Sequence, residues 1–266
     1  MNPYFKIINC ILICLAGLVT SAQDSGRSKP LNHAIWRYGG LERADTTEKT
    51  IYLAFTGGDY NDGGKSISRT LNKNKVYGHF FFTGDFYRNP DNKKFIKGLR
   101  KSGHYLGPHS DKHLLYASWE NRDSLLVSKE DFTSDLANNF KAMADLGIYK
   151  RNAFLFMPPY EWYNQQISTW AAGQGLVLVN YTPGTRSNAD YTTPDMGERY
   201  ISSESIYNSI LDYEHLSSSG LNGFILLIHV GTAPEREDKF YNHLNKLIKD
   251  LESMGYKFGK LIDFFN

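Results

Sequence analysis

The order of elements along the chain predicts an α/β fold: a distorted (β/α) barrel of about seven parallel strands, in a single domain. Three observations carry this. Strand-like and helix-like runs alternate from residue 48 onward. The strand-like runs are apolar at successive positions, as strands are when helices cover both sheet faces. The chain has 266 residues, enough for one large core. Taking the elements in order, Thr50-Ile51-Tyr52-Leu53-Ala54-Phe55 is β-branched and aromatic and stops at Gly57-Gly58, which predicts a buried strand. Residues 65–74 carry Ile67 and Leu71 four apart and predict a helix. A strand is expected over 78–84, a helix over 95–102 closed by Gly103, and a short strand over 104–107. A long helix over 129–146 has Ser128 as its N-cap and Gly147 as its stop. Phe154-Leu155-Phe156-Met157 reads as a strand halted by Pro158-Pro159. Helices are expected over 167–174, 206–216 and 239–254, and strands over 176–181, over 223–230 and near Lys257.

Lys plus Arg is 30 and Asp plus Glu is 28, a balance that argues against a phosphate-tracking nucleic-acid binder. Hydrophobic residues make up 41%, as in a folded globular chain rather than a disordered one. Residues 1–22 read as a secretory signal, with Lys6 as the basic region, Ile7 to Val19 as the apolar stretch and Thr20-Ser21-Ala22 before the cut. That stretch is shorter than the ~20 residues a spanning helix needs. The expectation is an exported protein of a bacterial periplasm, envelope or medium, with no membrane span after cleavage. Residues 23–47 read as a polar leader and 48–266 as the domain. Both cysteines, Cys10 and Cys14, fall inside the signal. Downstream of it, thiol nucleophiles and thiolate ligands are excluded, and any metal must be held by His, Asp or Glu.

The most informative stretch is Gly107-Pro108-His109-Ser110-Asp111-Lys112-His113. Two histidines four apart share one face of a helical turn, where both imidazoles can bind one metal. Two histidines and one carboxylate form a common catalytic zinc set. Strand ends at Phe55, Met157 and Ile228 lead into Asp59 and Asp62, into Pro158-Pro159-Tyr160-Glu161, and into His229. In a parallel α/β fold these ends open on one face.

Taken in order, these segments resemble the polysaccharide deacetylase family (the NodB homology domain, carbohydrate esterase family four). The resemblance rests on Phe80-Phe81-Phe82-Thr83-Gly84, Gly103-His104-Tyr105-Leu106-Gly107, the His109-Ser110-x-x-His113 element, Pro159-Tyr160 and Ile228-His229, and spans residues 48–262. It implies a divalent metal, zinc by ligand type, and hydrolysis of an acetyl group on an N- or O-acetylated glycan by a metal-activated water. It also implies that His229 protonates the leaving group and that the backbone N–H of Tyr160 helps hold the oxyanion.

The first family motif is altered. Where the family has Phe-Asp-Asp-Gly, this chain reads Phe55-Thr56-Gly57-Gly58-Asp59, and Met157 stands in place of the family's arginine. Losing the aspartate and its arginine together leaves no unpaired buried charge. Asp59, on a glycine-flanked loop, is the expected third metal ligand with His109 and His113. Glu161 is the expected replacement base. Pro159, Tyr160, Tyr181 and Asp190 are expected to contact substrate, and Asp190 is also placed to orient His229. Two other readings stay open: an impaired relative that binds glycans without hydrolysis, and a different metal-dependent hydrolase such as an amidase. The sugar, the amide or ester nature of the bond, and the oligomeric state are not written in the sequence.

Overall fold

A computed structural model describes residues 33–265; the expected signal segment lies outside the described residues. The chain opens on an antiparallel hairpin, β1 (Ile35–Arg37) and β2 (Gly40–Arg43). Then follow β3 (Thr50–Gly57), α1 (Gly64–Asn74), β4 (Gly78–Phe82), α2 (Gly84–Arg88), α3 (Lys93–Lys101), β5 (Tyr105–Pro108) and α4 (Lys129–Ala144). The second half holds β6 (Leu155–Phe156), α5 (Gln165–Gly173), β7 (Val177–Leu178), α6 (Ser203–Leu216), β8 (Ile225–His229), α7 (Leu244–Ser253) and β9 (Lys257–Phe258). Five strands form one parallel sheet, ordered β5-β4-β3-β8 with β9 also on β3. β6 and β7 form a separate parallel pair.

The seven parallel strands do not close the wall by themselves. The polar leader expected over 23–47 becomes, from residue 33, part of that wall. Leu41 bridges Val179 just past β7, and Arg43 bridges Phe224 just before β8. On the other side the join is the Met157 N–H donating to the Pro108 carbonyl at 3.3 Å. Leu41 and Ala44 are fully buried, and Arg43 turns its guanidinium onto the carbonyls of Asn222 and Gly220, both at 2.7 Å. Glu42 is matched by Arg37 at 2.9 Å. The charged letters of this strand conceal its burial, because each charge is answered locally.

Alternation along β3 sorts the core into two layers. Ile51, Leu53 and Phe55 face the helices with Phe80, Ile67 and Leu71, whereas Tyr52 and Ala54 face the barrel interior with Phe81, Tyr105, Leu155 and Leu227. α4 starts on a full capping box, with Ser128 Oγ accepting from Asp131 N–H at 3.0 Å and Asp131 returning a bond to the Ser128 backbone. The helix gives way at Gly147, where φ is +73°.

His79 anchors the closed end of the barrel. Its Nδ1 lies 2.9 Å from the Leu53 carbonyl and its Nε2 accepts the Leu261 N–H at 2.7 Å. Burial holds its pKa down at about 4, so folding keeps the ring neutral where an unfolded histidine, near 6.5, takes a proton. Stability is therefore expected to fall as pH drops from about 6.5 toward 4, by up to ~3 kcal/mol from this residue. Urea denaturation across that window is the measurement, and a His79→Gln variant should show a flatter dependence.

Candidate active site

Residues just past the strand C-termini line one cleft of about 940 Å³. β3 delivers Gly57, Gly58, Asp59 and Tyr60; β4 delivers Thr83 and Asp85; β5 delivers Asp111, Lys112 and His113. The turn after β6 adds Tyr160, Glu161 and Trp162, the segment after β7 adds Tyr181, and β8 ends at His229. His109 is buried against His113, with ring centroids 5.0 Å apart.

The histidine pair does not sit on the expected helical turn. It lies on an irregular loop in which Ser110 and His113 both have positive φ, +68° and +55°. A backbone in that region costs about 1–3 kcal/mol per residue and persists only when its surroundings fix it. α4 supplies the fixing. Asp135 Oδ2 accepts from Ser110 Oγ at 2.6 Å and from Asp111 N–H at 2.8 Å, and its Oδ1 accepts from Lys112 N–H at 3.0 Å. One turn on, Asn139 Oδ1 accepts from His109 N–H at 3.0 Å. Sequence reasoning missed both residues; the only signal was a pair of polar side chains four apart on a helix otherwise packed by Phe132, Leu136 and Met143. Asp135→Ala would strand three donors, two of them backbone N–H groups. It is expected to lower stability by roughly 2–4 kcal/mol, read from denaturant midpoints, with Asp135→Asn losing less.

Both imidazoles are set up as neutral nitrogen donors. His109 Nδ1 lies 2.8 Å from the Met157 carbonyl, so Nδ1 carries the proton and Nε2 keeps its lone pair. Burial pushes the His109 pKa well down, and burial also takes His113 to about 4. Two neutral imidazoles in ring contact are the donor chemistry that a divalent cation takes. Asp59 is exposed on the cleft wall, and its charge bears on His113. Among the described residues, no three His, Cys, Asp or Glu side chains gather into a ready metal cluster. The structure thus brings His109 and His113 together and leaves Asp59 on a neighbouring loop.

The altered strand end has a steric basis. Thr56 is buried with its hydroxyl unpartnered. A Cβ on Gly57 would lie 2.6 Å from Val230 and 2.9 Å from Phe82, so a carboxylate there would require the core to shift. Met157 is fully buried. No charge is left unpaired by these replacements.

Glu161 and His229 also line the cleft. Tyr160 and Glu161 have φ of +58° and +52°, a strained turn after two prolines that carries Glu161 into the cleft. Burial raises the Glu161 pKa to about 7; His229 pulls it down and Asp190 pushes it up. Burial also pulls His229 down, but the Asp190 and Glu161 carboxylates outweigh it and leave His229 above its ordinary value. Asp190 Oδ1 lies 2.6 Å from His229 Nδ1, and its Oδ2 accepts the His229 backbone N–H at 2.9 Å. Asp190 is 1% exposed, with both carboxylate oxygens engaged by His229. Pro159 is likewise buried and shapes the turn without facing the cleft, whereas Tyr160 and Tyr181 do line it. Trp119, Trp162 and Tyr191, which also face the cleft, were not singled out in the sequence because they fall in irregular segments with no spacing to read.

Residues 43–179 match the family described as polysaccharide deacetylase. The chain is 25% identical over 242 residues to the peptidoglycan-N-acetylmuramic acid deacetylase PdaA of Bacillus subtilis, covering 91% of this chain and 81% of that protein. It is 25% identical over 232 residues to a peptidoglycan-N-acetylglucosamine deacetylase of Bacillus cereus, covering 86% and 92%. The fold is similar to the solved structure of B. subtilis PdaA, a family 4 carbohydrate esterase, with a TM-score of 0.66, 23% identity and 89% of each chain covered. It is also similar to a family 4 pseudoenzyme from Bacillus anthracis, with a TM-score of 0.66, 16% identity, and 87% of this chain and 70% of that one covered.

Proposed function

The chain belongs to the polysaccharide deacetylase family, and from that premise we propose that it is a metal-dependent hydrolase removing acetyl groups from an N- or O-acetylated polysaccharide or oligosaccharide. The observation that carries this reading is the convergence on one cleft of a neutral histidine pair, a carboxyl with a pKa near 7, and a carboxylate-held histidine. The two similar deacetylases of B. subtilis and B. cereus act, by their names, on peptidoglycan amino sugars, and a cell-wall glycan outside the cytoplasm suits the expected export of this chain. No helix among the described residues is long and apolar enough to cross a membrane.

His109 and His113 would hold the divalent ion, zinc by ligand type, with Asp59 as the third donor. When bound, the ion supplies Lewis-acid polarisation of the acetyl carbonyl and acidifies the attacking water. Glu161 takes the proton that water releases as its oxygen bonds to the acetyl carbon. Tyr160, on the same turn, offers its backbone N–H to the oxygen that becomes negative. His229, protonated and aligned by Asp190, gives its Nε2 proton to the amine or alcohol as the bond to the acetyl carbon breaks. The product carboxyl loses its remaining proton and leaves as acetate, Glu161 returns its proton to solvent, and His229 takes one back.

The test is acetate release from a panel of acetylated glycans, paired with the metal content of protein purified without chelator. Stoichiometric divalent metal, with activity lost to chelator and restored by zinc, is the expected result. A second reading, glycan binding without hydrolysis, is favoured by Thr56 and Gly57 standing where the family has aspartates. Binding without acetate release from any metal-loaded sample would select it.

A further inference from the structure

Beside the catalytic cleft lies a second pocket of about 330 Å³. Tyr181, Asn188 and Tyr191 line both, so the two share a wall. The sign of charge changes across that wall. Four aspartates and two glutamates line the cleft, whereas the smaller pocket is lined by Arg186 and Arg199 and by no Asp or Glu. Both arginines are exposed, and neither has an ion-pair partner among the described residues. Asp190, on the turn that follows Arg186, has both oxygens engaged by His229. A lone exposed arginine calls for no explanation. Two on the walls of one concavity add their fields there and attract an anion.

The backbone under the pair is fixed. Arg186 has a φ of +56°, a strained conformation at the entry to the 3-10 turn Ser187–Tyr191. Its carbonyl accepts the Ala189 N–H at 2.9 Å, and the Thr185 carbonyl accepts from Ser209 Oγ on α6. Arg199 closes a second 3-10 segment, Pro194–Arg199. Arg236, fully buried, braces both flanks of that segment by donating to the carbonyls of Thr192 and Ile201, at 2.5 and 3.0 Å. A site held in place before binding spends little free energy on ordering when its ligand arrives.

The position of the pocket says which part of a substrate reaches it. The Tyr191 ring lies 5.4 Å from the His229 ring, centroid to centroid, and also lines the arginine pocket. His229 is the group that hands a proton to the leaving amine or alcohol, and the sugar is attached to that leaving atom. The sugar therefore sits on the His229 side of the cleft, with the arginines one aromatic ring further on. The planar guanidinium fork matches a carboxylate, which it can grip through two parallel hydrogen bonds.

We infer that Arg186 and Arg199 form a carboxylate subsite, and that they select an acetylated amino sugar bearing an acid substituent over its neutral counterpart. This rests on the deacetylase reading for the placement of the sugar.

The test is binding to the metal-free full chain by calorimetry, so that no turnover is needed. The probes are a peptide-free tetrasaccharide of alternating N-acetylglucosamine and N-acetylmuramic acid, whose lactyl groups end in carboxylates, and the same chain with those carboxylates amidated. The acid form is expected to bind about tenfold tighter than the amide. That ratio should fall as salt rises. In Arg186→Gln and in Arg199→Gln the ratio should drop toward one, with the melting temperature retained because both side chains are exposed. Lysine at either position should keep part of it, since it keeps the charge and loses the fork. Equal binding of acid and amide by the native chain, or a ratio that survives the double glutamine variant, would overturn the inference. Inorganic phosphate that displaces the acid form at equal concentration would also overturn it, by making the pocket a general anion site. Preference for the acid without acetate release from any metal-loaded sample sinks the hydrolase reading alone. Acetate release from acid and amide at equal kcat/KM, unchanged in the glutamine variants, sinks this inference alone.

Discussion

A Glu161→Gln variant is expected to release acetate about 10²–10⁴-fold more slowly than the native chain, with metal content and melting temperature retained. Glutamine keeps the size of the side chain and its place on the strained Tyr160–Glu161 turn, and removes only its capacity to take a proton. The pH profile separates this role from a structural one. Burial holds the native carboxyl near 7, with His229 and Asp190 bearing on it and Tyr181 also within its field. Activity should therefore rise through pH ~7 as Glu161 loses its proton. It should fall at higher pH as His229, held above the ordinary imidazole value by Asp190 and Glu161, loses its own. In Glu161→Gln the rising limb should vanish and the falling limb remain. A variant as fast as the native chain would take Glu161 out of the mechanism.

Replacing His113 with Ala is expected to abolish acetate release and to weaken zinc binding more than the ~10–100-fold that changes outside the ligand shell produce. His113 is the cleaner of the two histidines to test, because it is half-exposed and, among the described residues, makes ring contacts only with His109 and Tyr160. His109→Ala should abolish activity as well. It also removes the bond to the Met157 carbonyl that ties the β5 loop to the β6 loop, so a drop in melting temperature should accompany it. Zinc titration of the dialysed protein, with elemental analysis, gives the readout. Activity surviving either change would mean that the pair is not the catalytic centre.

Much of the framework was legible because local and tertiary preferences agree. β3 and β4 are apolar at nearly every position, and α4 declares its start through Ser128 and its end through Gly147. The family motifs located the cleft because they fall where parallel strands end. What stayed hidden depends on partners distant in the chain. β2 reads as polar, since Glu42 and Arg43 are buried only through Arg37 and through carbonyls near residue 220. The four-residue spacing of His109 and His113 suggested a helical turn, but Asp135, more than twenty residues on, holds their loop in a shape that spacing cannot reveal. The reach of Asp190 to His229 was open to suggestion but not to derivation, because it joins a 3-10 turn to a strand end.

The β2 strand has a consequence for how the chain must be handled and how it assembles. It fills a gap between segments that emerge much later, near Val179 and Phe224, so the wall is sealed only when segments from the second half of the chain meet one of the earliest. Trimming that stops short of β2 leaves the cylinder intact. Trimming that removes Gly40–Arg43 exposes two raw edges, each able to recruit a strand from a neighbouring molecule. Truncated preparations should therefore self-associate, and a soluble monomeric fragment for crystallography or display has to keep this short hairpin.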